Sequence, residues 1–285
     1  MQAAALNGVD SGARRGPLHA LQALRAIVLR EILKFSQQTG RLVSALVRPL
    51  LWLAVFAAGF RNVFGVAIVE PYDTYIPYDV YIAPGLVGMV LLFNGMQSSL
   101  AMVYDREMGL MRLLLTAPLP RWWLLFSKLC ATALLSMLQA LAFVVVALAL
   151  GTSLPMLGWD ALHALVALAA GALMLGALGL LLSVHIKQLE NFAGTMNFVI
   201  FPMYFLSTAL YPLWKLEESG AGWVYQIARF NPFTHAVEWI RFALYGKDPG
   251  LAPWVVLGCL VVFFGVACWG YDPQRGFGGL TKRGG

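Results

Sequence analysis

Apolar residues gather into six long runs separated by short polar breaks, at Leu42–Phe60, Val80–Tyr104, Leu124–Leu150, Ala161–Val184, Phe192–Tyr211 and Ala252–Tyr271. Crossing the ~30 Å hydrocarbon core of a bilayer takes about 20 helical residues, and each run has that length. Between Lys128 and Asp160 stand 31 consecutive residues without a formal charge. The pattern predicts an all-α, polytopic membrane protein with six transmembrane helices in one integral domain, residues 42–271. Upstream the spacing changes. Leu21, Leu24, Val28, Ile32 and Phe35 recur every three or four positions, with Arg30, Lys34 and Arg41 on another face. That spacing predicts an amphipathic interfacial helix over 18–41, its basic side in the headgroup layer. Residues 1–17, small and polar, read as a disordered tail without the apolar core of a signal peptide. Residues 272–285 read as a second, cytoplasmic tail.

Two of the breaks are themselves patterned. The segment after the second run, YDREMGLMRLLLTAPLPRWW, predicts a short helix from Arg106 to about Thr116, stopped by Pro118 and Pro120. In the segment NPFTHAVEWIRFALYG, Asn231 is placed to cap a helix, Pro232 suits its first position, and Gly246 ends it. Phe233, Val237, Ile240 and Leu244 give that helix one apolar stripe, which predicts a segment packed on the bundle or dipping into the outer leaflet. Arg48-Pro49 falls within the first run, where proline kinks a helix and Arg48 is expected to snorkel to the near interface. Asn94, Gln97, Ser98 and Ser99 make the later half of the second run polar. In the fourth, Ala167/Gly171 and Ala172/Gly176 would let a neighbouring helix approach closely.

Composition agrees with the pattern: 60% of the 285 residues are hydrophobic and 12% charged, against roughly 25% charged in soluble proteins. A net charge of +6 raises nucleic acid as a partner, but the basic residues form no stripe with stacking aromatics, so no nucleic-acid partner is expected. Their order along the chain explains them. With the N-terminus inside, the four inner segments hold fifteen Lys and Arg and the three outer ones hold five. This is the positive-inside asymmetry of a six-span protein with both termini cytoplasmic.

Catalytic signatures are missing from the sequence. There is no phosphate-binding G-x-x-x-x-G-K-[ST] loop, no H-E-x-x-H and no G-x-S-x-G elbow. Cys130, Cys259 and Cys268 lie within apolar runs without metal-ligand spacing, and the four histidines are scattered. The chain is therefore not read as an enzyme, and no cofactor or metal is expected on it. An ion-coupled carrier, the alternative, keeps a carboxylate, His or Lys deep in a span. Here Asp79, Asp105, Asp160, Glu190 and Asp272 all fall at or beyond the ends of the runs. A bundle without its own motor takes work from a docked partner, and the loop bearing Asp105, Arg106, Glu107 and Arg112, with apolar anchors at Met108, Leu110 and Met111, offers the contact.

That same loop, YDREMGLMRLLLTAPLPRWWLLFSK (Tyr104–Lys128), resembles the signature region of type-2 ATP-binding-cassette (ABC) export permeases, a group of nodulation-factor, polysaccharide and drug exporters. The resemblance continues in order through REILKFSQQTGRLVSALVRPLLWL, YIAPGLVGMVLLFNGM, LENFAGTMNFVIFPMYFLSTALYPL and NPFTHAVEWIRFALYG. It implies six spans, a cytoplasmic coupling helix at about Asp105–Thr116 (Asp105, Arg106, Glu107, Met108, Met111 and Arg112), and an outer re-entrant helical segment, a pair of helices before the last span. Arg30 and Glu31 would approach the ATPase on a second helix. It further implies a separate ABC ATPase subunit holding ATP and Mg, a second permease copy in a homodimer, surrounding membrane lipids, and a bacterial inner membrane. The family's transport path runs between protomers along the first, second and fifth spans, which points to Asn94, Gln97, Met196 and Asn197 as its lining. The charge-free interior departs from members that hold a charge at mid-channel.

Overall fold

A computed structural model describes residues 17–37, 39–60, 70–72, 75–109, 120–152, 159–186, 188–218, 220 and 222–271. Among them the regular structure is helical throughout, with no strand. The helices are α1 (Pro17–Ser36), α2 (Thr39–Phe60), α3 (Tyr78–Glu107), α4 (Arg121–Ala149) and α5 (Trp159–His185), followed by α6 (Leu189–Phe205), α7 (Leu213–Glu218), α8 (Gly222–Phe230), α9 (Pro232–Leu244) and α10 (Ala252–Gly270). Four of them, α3, α4, α5 and α10, are long and apolar enough to cross a membrane. In α2 the apolar part is the shorter Leu46–Phe56, and α6 has 17 residues.

α3 and α5 make the centre. From Tyr78 to Leu92 every residue of α3 is buried, so it carries no lipid-facing stripe there. Glycine allows its neighbours that close. A Cβ on Gly179 would lie 2.7 Å from the carbonyl oxygen of Gly95, and one on Gly95 would lie 3.0 Å from that of Leu175. Small residues set this crossing, as the spacing in the fourth run predicts, and Ala167 and Ala172 are fully buried with them. The tightest contact is at Gly179, against Ser99 and Gly95; of the predicted residues Gly176 joins the crossing, its N 3.1 Å from a Cβ on Gly95, while Gly171 has ordinary room around it. α10 shows the opposite pattern: Trp254, Val261, Val262 and Trp269 stay exposed on it, as on a helix whose outer side meets lipid.

Three element boundaries differ from the sequence reading. The amphipathic stretch 18–41 does not form one helix: α1 ends at Ser36 and α2 starts at Thr39. Leu24, Val28, Ile32 and Phe35 turn partly inward, whereas Leu21, Leu29 and Leu33 form an exposed apolar row. The predicted helix from Arg106 is also corrected. Arg106 and Glu107 are the last turn of α3, and Gly109 closes it at φ +72°, a left-handed C-terminal cap. The rest of that predicted helix, with Met111 and Arg112, lies in 110–119 and so outside the described residues, as do both tails from 1–16 and 272–285. Finally, the fifth run is not one helix. α6 stops at Phe205, and Leu206–Leu210 fold back as turns.

The chemistry of that last break is visible. Breaking a helix in an apolar setting strands backbone carbonyls that must find donors. Side chains of α3 and α9, and Tyr211 just beyond the turns, supply them. The Tyr78 hydroxyl donates to Leu210 O at 2.6 Å and the Tyr81 hydroxyl to Thr208 O at 3.0 Å. Arg241 Nη2 donates to Thr208 O at 2.8 Å, and the Tyr211 hydroxyl donates to Phe205 O. The patterned segment forms α9 as expected, with Phe233, Val237, Ile240 and Leu244 all buried and Asn231 Oδ1 accepting from Phe233 N at 3.0 Å. Neither α7 nor α8 is marked by the residues themselves, although the resemblance implies a re-entrant pair of helices in this stretch. Both are short: α7 has six residues and α8 nine, although Trp223, Ile227 and Phe230 give α8 an apolar face.

Candidate functional site

The bundle has two polar ends, and the charged residues singled out in the sequence converge at the one where α3 terminates. Three consecutive side chains there reach four helices. Asp105 is 2% exposed and sits between two ammonium groups, Lys34 of α1 at 3.7 Å and Lys128 of α4 at 3.6 Å. Arg106 Nη2 donates to Ser183 O in the last turn of α5, satisfying one of the carbonyls a helix leaves open at its end. Glu107 Oε1 accepts from Leu189 N, the first residue of α6, at 2.9 Å, which places negative charge at a helix N-terminus. Helical geometry explains the fan. Successive residues project about 100° apart, so three in a row face in three directions, and Asp105 meets two helices at once. A further bond, from Trp123 Nε1 to Ala20 O at 3.0 Å, fastens α1 to the start of α4.

A crevice of mixed lining opens beside this cluster, bordered by Glu31, Ser98, Asp105, Lys128 and Thr132 together with Met102, Leu135 and Leu180. Of the two α1 residues singled out in the sequence, Glu31 faces it half-buried while Arg30 is exposed. Met108, at the cap of α3, is exposed. The chain then leaves the described residues directly beyond this cluster.

At the opposite end a buried cation ties α9 to α3. Arg241 is 2% exposed. It pairs with Glu238 one turn back, lies 4.2 Å from the Tyr81 ring centroid, and bonds Thr208 O. Burial pushes the nearby Tyr245 hydroxyl up to about 12, with Arg241 pulling it the other way, so Tyr245 is neutral at physiological pH and Glu238 is the only ion paired with Arg241 among the described residues. Asn231 Nδ2 donates to both Met203 O and Leu206 O at 2.8 Å, so one side chain caps α9 and also finishes α6.

A family model, described as ABC-2 type transporter, matches residues 22–245. The chain belongs to the ABC-2 type transporter family. Among relatives, the putative transport permease ycf38 of Porphyra purpurea is 31% identical over 80% of this chain and 76% of its own length. A putative transport permease ycf38 of Cyanophora paradoxa is 30% identical over 81% of this chain and 77% of its own. The daunorubicin resistance ABC transporter permease protein DrrB1 of Streptomyces coeruleorubidus is 25% identical over 90% and 88%. The chain is thus an ABC-2 permease, a membrane transport protein built of apolar helices.

For this ABC-2 permease the residues expected along a transport path separate into two groups. Asn94 is buried and donates through Nδ2 to Gln139 Oε1 on α4. Gln97, one turn on, borders the same crevice, which Arg48 of α2 also enters. Met196 is half-buried against the core and Asn197 is exposed, both on α6, and neither lines that crevice. Two expectations are corrected here. Arg48 does not snorkel: its guanidinium carbon lies 4.0 Å from the ring centroid of Phe93, halfway along α3. The interior of the ABC-2 permease is therefore not charge-free. Sequence reasoning also missed Gln139, the one amide side chain in a long apolar run, and Arg241, counted only among the charges of the outer segments.

Proposed function

We propose that this ABC-2 permease is the transmembrane half of an ATP-driven exporter. In this reading α2 and α6 join the four longest helices as six spans, with α1 lying in the inner headgroup layer and α9 in the outer leaflet. Both termini are cytoplasmic, in a bacterial inner membrane. Two copies form a homodimer, and each docks a separate ABC ATPase subunit that holds ATP and Mg. The permease itself binds no cofactor and performs no catalysis.

The observation that carries this reading is the three-residue fan at the end of α3. Asp105, Arg106 and Glu107 hold α1, α4, α5 and α6 together directly before the loop that bears Met111 and Arg112. A push on that loop by a closing ATPase would reach four helices at once, without hinging each separately. Asp105 and Arg106 then act inside the permease as positioning residues. Arg30, Glu31, Met108, Met111 and Arg112 are left for the partner surface. A ligand or partner shifts such a bundle only through contacts that differ between its two states, and a shared joint provides that difference.

The cargo is amphiphilic: a lipid-linked glycan, a lipid or a hydrophobic drug. A relative named for daunorubicin resistance supports the last of these. Met196 and Asn197, at the surface of α6, belong in this reading to the seam between protomers. The test is reconstitution in liposomes with a fluorescent amphiphile as cargo. Flux is expected only when the ABC ATPase encoded with the permease and ATP are both present. Robust flux from this chain alone, or flux driven by a proton gradient without nucleotide, refutes the proposal.

A further inference from the structure

Arg48 occupies the tenth position of the 22-residue α2. Its guanidinium rests on Phe93, which lies about 21 Å of helix from the last residue of α3 and about as far from the first. Arg48 is half-buried, and a cation at that depth requires compensation, since withdrawing an unpaired charge from water is heavily penalised. Phe93 supplies a π-face worth about 0.5–2 kcal/mol in general, far short of an ion partner. No hydrogen bond or ion pair to Arg48 exists among the described residues. Nor can its neighbours provide an anion. α2 and α4 contain no Asp or Glu, and those of α3 are Asp79, Asp105 and Glu107, at its two ends.

The crevice beneath Arg48 carries a second unspent donor. Gln139 is 2% exposed and borders the crevice, and its Nε2 has no partner. Asn94 fixes that state: it occupies Gln139 Oε1, which turns the amide's NH2 group away from the bond and leaves both hydrogens free. Gln97 adds a further amide at the rim. A guanidinium with five donors and an amide with two therefore face one space that, among the described residues, offers no acceptor of matching charge. The space is narrow, about one water wide, so it takes the oxygen end of a group and not an entire headgroup.

We propose that this crevice is a cargo-recognition site for the oxyanion, phosphate or carboxylate, of an anionic amphiphile, with Arg48 as its charge-bearing residue and Gln139 and Gln97 as its neutral donors. The proposal rests on the permease reading and narrows its substrate class from amphiphiles in general to anionic ones. Depth favours cargo over resident lipid, because headgroups of bilayer lipids stay at the interface whereas a translocating headgroup must pass mid-membrane.

The experiment measures equilibrium binding of radiolabelled decyl phosphate to the full chain in phosphatidylcholine nanodiscs, with empty discs as background and decyltrimethylammonium as the oppositely charged probe. No nucleotide or ATPase is present, so failure of binding is distinct from failure of ATP-driven transport. Decyl phosphate is expected to bind the wild type at least about tenfold more tightly than the cationic probe, the range of one charge-assisted hydrogen bond. Arg48→Gln should abolish that preference and Arg48→Lys should keep part of it, since Lys retains the charge but not the fork. Gln139→Leu should weaken decyl phosphate a few-fold and leave the cationic probe unchanged, which keeps the test open should Arg48→Gln fail to insert. Equal binding of the two probes by the wild type overturns the proposal. So does an unchanged preference in Arg48→Gln. Loss of the decyl phosphate signal on adding phosphatidylglycerol to the disc overturns it as well, by assigning the crevice to resident lipid.

Discussion

Replacing Asp105 by Asn tests the joint at the end of α3 with minimal change of shape. The carboxylate has two cationic neighbours, and they are not equivalent. Lys34 is 34% exposed in its side chain and Lys128 is 14% exposed. At 3.6 Å and an effective dielectric of about 20, the Coulomb attraction is about 4–5 kcal/mol. Desolvation offsets much of this, so the pair's net contribution is small, yet deleting one partner leaves a buried charge at a penalty of about 3–5 kcal/mol. Lys128 bears most of that penalty because it is the less exposed of the two. Lys34 reaches water, and its arm is worth about 0–1 kcal/mol. Asp105→Asn should therefore lower the unfolding free energy by about 3 kcal/mol in a denaturing-detergent titration. Amide exchange in α1 should rise only by about fivefold, the equivalent of about 1 kcal/mol. The decisive control is the double variant with Lys128→Met. Removing the stranded cation should recover at least about 1 kcal/mol relative to Asp105→Asn alone. A double variant less stable than the single one would refute the charge accounting. A large rise in α1 exchange with unchanged global stability would show that Lys34, and not Lys128, bears the load.

Two further perturbations probe the frame that holds this joint. Gly179→Ala should cost about 1–3 kcal/mol of stability, because its Cβ would meet the Gly95 carbonyl and backbone does not yield. Gly171→Ala, with its nearest neighbour at 3.5 Å, should stay within about 0.5 kcal/mol in the same titration. Asn231→Asp reverses an ordinary rule. Asp is normally as good an N-cap as Asn, but here the amide also donates to Met203 O and Leu206 O. The Asp variant should be at least as unstable as Asn231→Ala, by about 2–4 kcal/mol; an Asp variant of wild-type stability would show that the cap alone matters.

The sequence by itself determined the helical membrane architecture, because lipid cannot satisfy backbone groups and the chain must therefore declare each crossing as a long apolar run. It also determined α9, whose cap, first-turn proline and stripe are all local signals, and the family, whose marks lie in contiguous segments. It marked Asp105, Arg106 and Glu107 as special but described them as part of a loop helix meeting a partner. Only the tertiary structure decided that Asp105 and Arg106 are spent inside the bundle, since their partners Lys34, Lys128 and Ser183 come from three other helices. The end of α6 was hidden for the same reason: its turns stand on donors from Tyr78, Tyr81 and Arg241, far along the chain. Arg48 shows the limit most clearly. Snorkelling and mid-depth burial are both open to an arginine near a span's end, and the choice rests on where Phe93 and Gln139 of other helices fall, which no local pattern encodes.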